Sequence, residues 1–118
     1  MTRVEARLAA VNVAVALVAL FGGVVTGLFQ ALEYAGIAIY PSLSPVIRSH
    51  YHSVSMHGVL NALVFTTFFI CGFVPFILSR ALQAPLASAR LGWVTFWVMV
   101  AGLVLAAIPL TGNAATVM

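Results

Sequence analysis

Three long stretches with almost no charge, Leu8 to Leu32, Val54 to Leu78 and Leu91 to Leu110, leave this chain few ways to fold. A helix of about 20 apolar residues crosses a hydrocarbon core of roughly 30 Å, and it satisfies its backbone N–H and C=O groups within its own segment. The chain therefore reads as an all-α membrane protein with three transmembrane helices, forming one domain over residues 1–118. Composition agrees: 64% hydrophobic and 6% charged residues exclude an ordinary soluble globular class. The connections, residues 33–53 and 79–90, are too short for a separate soluble domain, so any chemistry belongs in or at the membrane.

The net charge of +3 comes from scattered arginines and two acids, which is not the pattern of a nucleic-acid surface. Arg3 and Arg7 precede the first span and Arg80 and Arg90 flank the second connection, whereas Arg48 alone lies in the first connection. The positive-inside rule then puts the N-terminus in the cytoplasm and the C-terminus outside. A multi-pass protein of a cell membrane, the inner membrane of a bacterium or archaeon, is expected. The first span is too long for the apolar core of a signal peptide and no clean cleavage site follows, so it is read as a retained helix.

Gly23 and Gly27 form a small-xxx-small pair in span one, suited to close packing against span two or three, or alternatively to an oligomer interface. Pro41 and Pro45 argue against a continuous helix through the first connection. Tyr34, Tyr40 and Tyr51, and Trp93 with Trp97, read as rings anchored at the membrane interfaces. Cys71 is the single cysteine, so no intrachain disulfide can form, and a buried structural thiol is expected. Pro75 is expected to kink or loosen the last turn of span two.

Three histidines, His50, His52 and His57, stand close together in sequence. His50 and His52 are read as lying in the connection, and their H-x-H spacing is a weak metal signal. His57 falls about one turn inside the apolar boundary, where a polar side chain marks function by default. His57, Asn61, Phe65 and Phe68 recur at i, i+4, i+8 and i+11, which in an α-helix lines one face. Gly58 leaves room beside the imidazole for a large flat ligand. A neutral nitrogen donor with an apolar, aromatic wall suits an axial haem ligand, yet a histidine and asparagine hydrogen-bonded within the bundle fits the residues equally well.

At these residues the chain resembles a family. "YHSVSMHGVLNALVFTTFF" is similar to the second transmembrane helix of haem-copper oxidase subunit I, above all its B-type branch. "LFQALEYAGIAIYP" resembles the end of that family's first helix with its outer loop, and "GWVTFWVMVAGLVLAAIPLTGNAATVM" resembles its third. The resemblance implies that His57 is the helix-two axial ligand of a low-spin haem, in a cofactor-binding set with Gly58, Asn61, Phe65 and Phe68. It also implies that the second axial histidine, the high-spin haem ligand and the copper ligands belong to later helices, so three helices alone do not reduce dioxygen. Ala114 departs from an acidic residue expected in B-type relatives.

Three readings follow. In the first, the chain is a small haem b protein whose second axial ligand comes from another chain, most simply His57 of a second copy in a homodimer, acting in electron transfer or haem sensing. In the second, it is the N-terminal piece of a split or truncated oxidase subunit I, completed by another membrane chain. The third is a haemless structural subunit. The self-sufficient three-span charge pattern favours the first.

Overall fold

The computed structural model describes residues 3–43, 46–47 and 49–111. Helix α1 spans Arg3–Tyr34. It ends because Gly36 turns into the left-handed region at φ 87°, where the Ile37 N–H reaches the Leu32 carbonyl and the Gly36 N–H reaches that of Glu33. A four-residue helix, α2, Tyr40–Leu43, interrupts the first connection; Pro41 sits in its first turn, where a missing N–H costs nothing. Pro45 and Arg48 lie outside the described residues, as does Ala114.

The second membrane helix is a composite of α3, His50–Gly58, a π-helical segment, Val59–Phe65, and α4, Thr66–Leu82. It starts earlier than the apolar run because Ser49 caps it, its hydroxyl accepting from the His52 N–H at 3.1 Å. His50 and His52 are thus in the first turn of a helix, not in the connection. Pro75 is carried inside α4, which closes only at Gln83, left-handed at φ 51°, with the Ala84 N–H bonded back to the Ser79 carbonyl. Helix α5, Ala89–Thr111, completes the three membrane-length helices, in a body 54 × 26 × 19 Å.

One seam organises the packing. The buried positions of α1 are Glu5, Leu8, Asn12, Ala16, Ala19, Gly23 and Thr26, separated by three or four residues throughout. Small residues dominate that seam because helices in lipid are held by close packing, not by exclusion from water. Its centre is a core of Ala16, Ala19, Val64, Phe68 and Phe96, with the Phe68 and Phe96 rings edge to face at 6.3 Å. Helix α5 is the outlier: Phe96 and Leu110 are its buried side chains among those described, while Val94, Trp97, Val98, Val104, Leu105 and Ile108 point outward.

Several ring and thiol expectations change. Tyr34 and Tyr51 are exposed, as anchors should be, but Tyr40 is only 5% exposed, packed edge to face with His50. A ring cannot both anchor in the headgroups and close the interhelical core, and here the α2 turn carries Tyr40 inward. Trp97 is exposed whereas Trp93 packs partly buried against Phe96. Cys71 is exposed, on the wall of a cavity of about 380 Å³ between α1, α4 and α5, because the neighbouring Gly72 takes the contact with α1.

Candidate functional site: a histidine held between two glycines

The His57 ring packs against the α1 backbone through the two glycines of the small-xxx-small pair. A Cβ on Gly27 would stand 2.9 Å from both Cε1 and Nδ1 of the imidazole, and one on Gly23 would overlap the Asn61 carboxamide. The pair therefore serves intrachain packing, and what it admits is the polar edge of α3 and the π segment. The third glycine, Gly22, meets only the flexible end of Leu60.

One of its two nitrogens gives the ring its orientation. His57 Nδ1 lies 2.6 Å from the Gly23 carbonyl oxygen, which also accepts from the Thr26 hydroxyl at 2.9 Å. A carbonyl oxygen only accepts, so Nδ1 carries a proton, and in the uncharged ring Nε2 is then the nitrogen that keeps a lone pair. Nε2 has no hydrogen-bond partner among the described residues. The ring is half-buried, and beside it Gly58 is exposed with open space where a side chain would stand. A backbone carbonyl bonded to Nδ1 in this way sets the tautomer and direction of an imidazole and leaves Nε2 as the nitrogen that could meet a metal. The donor set therefore fits an iron-bound haem: one oriented imidazole whose Nε2 has no hydrogen-bond partner among the described residues.

The other expected residues divide. Asn61 stays with His57, its amide nitrogen 3.2 Å from Nδ1. Phe65 is half-buried, its ring 5.6 Å from Phe69, and Phe68 turns into the three-helix core against Phe96. The single face expected for 57, 61, 65 and 68 fails because Val59–Phe65 is π-helical. Bonds to i+5 take more residues per turn, so each later side chain lags behind its α-helical direction. Thr66 marks the change, its hydroxyl donating to the Asn61 carbonyl at 3.2 Å.

A polar lattice one turn above His57 went unread in the sequence. Ser53 is fully buried and its hydroxyl donates to the Thr26 carbonyl at 2.8 Å, while the Gln30 amide nitrogen donates to the Thr26 and Ser53 carbonyls. The available signal was Thr26 and Gln30, polar residues in an otherwise apolar span. His52 is also fully buried, with Nε2 2.6 Å from the Leu110 carbonyl near the end of α5. The H-x-H pair is thereby split, and no group of three metal-ligating side chains occurs among the described residues.

Comparison with known proteins bears on the whole chain. The family model described as cytochrome c and quinol oxidase polypeptide I matches residues 7–118. The chain is 40% identical over 103 residues to cytochrome c oxidase subunit 1 of Thermus thermophilus, a match that covers 85% of this chain and 18% of that relative. The chain thus spans under a fifth of the length of that curated relative. A match running through all three membrane helices, including the His57 segment, leaves one assignment: the chain belongs to the cytochrome c and quinol oxidase polypeptide I family.

Proposed function

We propose that these three helices form the low-spin haem half-site of a haem-copper oxidase subunit I, with His57 Nε2 as one axial donor. The observation that carries the reading is the committed Nδ1: with its proton held by the Gly23 carbonyl, the ring offers iron a single nitrogen in a fixed direction. A low-spin haem held there would supply one-electron transfer. The chain's own residues do the rest. Gly27 gives the ring its seat, Gly23 holds the proton at Nδ1, and Gly58 leaves the approach clear.

The second axial ligand comes from a helix other than these three, and the proposal assigns it to the remaining helices of a terminal oxidase. The bare outer face of α5 supports this, since a helix with two buried side chains among those described has most of its packing still to make. A homodimer with one haem b between two His57 rings meets the same ligand requirement, and stoichiometry separates the two.

The test is a reduced-minus-oxidised spectrum of the purified protein and of His57→Ala, with the haem-to-chain ratio measured on the same samples. The expected result is a sharp low-spin α band lost in His57→Ala, with haem retained only alongside a larger partner chain. An unchanged band in the variant rejects His57 as ligand. One haem per two identical chains replaces the oxidase reading with the homodimer.

A further inference from the structure

The carboxamide of Asn61 carries an inconsistency that resolves into a role. Its nitrogen lies 3.2 Å from His57 Nδ1, while its oxygen is buried with no hydrogen-bond partner. The two ends of a carboxamide are nearly the same size, and which is which follows from the hydrogen-bond pattern around them. Here the pattern decides against nitrogen. Nδ1 faces the Gly23 carbonyl at 2.6 Å and must carry the ring proton, since two lone pairs at that separation repel. An amide N–H aimed at a protonated Nδ1 has nothing to bond.

We infer that the carboxamide stands turned by half a revolution, so that Asn61 Oδ1 and the Gly23 carbonyl share the proton on His57 Nδ1, making Asn61 a positioning residue for the ligand. The amide nitrogen then takes the buried place of the oxygen, where the described residues offer no partner to either atom, so the gain lies wholly at Nδ1: an acceptor replaces a donor facing the ring N–H. Three features hold the group there. Gly23 has no Cβ, which would overlap the amide; the Thr66 hydroxyl grips the backbone carbonyl of Asn61 and so fixes the main chain that carries the group; and Asn61 stands four residues after His57, beside the ring. A second acceptor on Nδ1–H draws the proton outward and leaves Nε2 more electron-rich. Toward iron, such a nitrogen favours the more positive oxidation state, and so a lower midpoint potential.

The effect at iron rests on the haem reading above; the hydrogen bond does not, and the two are tested apart. In the haem-free full chain, nitrogen-15 spectra of the His57 ring are expected to report the Nδ1–H tautomer, with the Nδ1 proton resonance moving upfield in Asn61→Leu. In the haem-loaded protein, Asn61→Leu is expected to keep a low-spin α band and to raise the midpoint potential. Asn61→Ala serves as the second variant if leucine disturbs the packing against Gly23. An Nε2–H tautomer in the wild type overturns the inference, as does a potential that falls or stays unchanged in the variants. A wild-type chain that takes no haem even alongside the larger partner chain defeats the haem reading and leaves the Nδ1 proton to decide Asn61 alone.

Discussion

A single methyl group on Gly27 would meet the His57 ring at 2.9 Å, closer than real side-chain carbons approach. That same Nδ1 edge of the ring is pinned by a 2.6 Å hydrogen bond to the Gly23 carbonyl, so the ring cannot retreat from a methyl group without losing it. Overpacking of this kind costs about 1–3 kcal/mol in a well-packed interior. Gly27→Ala is therefore expected to lower the melting temperature in a fixed detergent and to weaken or broaden any low-spin haem band. Gly22→Ala is the control, because its neighbour at 3.3 Å is the movable end of Leu60. Equal behaviour of the two variants would contradict the seat assigned to Gly27.

Among elements, the π-helical segment and the two ends of the composite helix carry most of the specificity. The π turn splits one expected face into two jobs: His57 and Asn61 address α1, and Phe68 addresses α5. At the same end, His52 Nε2 and the Leu110 carbonyl tie α3 to α5, a helix with few other buried contacts. His52→Phe keeps a flat ring but leaves that carbonyl with one donor fewer in an apolar setting, at a cost of about 1–3 kcal/mol. The expected outcome is faster amide hydrogen exchange along the last turns of α5 with α1 unchanged; equal exchange in α5 of variant and wild type would deny the tie.

For the whole molecule, the arrangement gathers charge at one end. Arg3 and Arg7 open α1, Arg80 lies in the last turn of α4 and Arg90 in the first turn of α5, so antiparallel packing brings all four to the same end of the bundle. His57 lies toward the opposite end. The positive-inside rule predicts that the arginine end faces the cytoplasm. Alkaline phosphatase fused after Met118 is expected to be active, and the same enzyme fused within 83–88 inactive; the reverse pattern would invert the membrane orientation and move the His57 site to the cytoplasmic half.

Much of this was legible in the residues. Apolar runs of bilayer length demand helices, because only a helix satisfies its backbone within lipid, and so three spans and an all-α fold follow from Leu8 to Leu32, Val54 to Leu78 and Leu91 to Leu110 directly. An imidazole inside such a run singled out His57, and the glycine spacing signalled a close helix approach. The sequence could not name which side chain would occupy that approach. Periodicity assumes one helical repeat, so it misdirected Phe68, whose position depends on a π turn that local residues did not announce. Tyr40 and Cys71 show the same limit, since inside or outside is a property of what packs opposite. The sequence alone settled fold class and the residue to watch. Tertiary packing decided the ring's tautomer and its free nitrogen, because a hydrogen bond to the Gly23 carbonyl exists only once residues 34 positions apart are brought together.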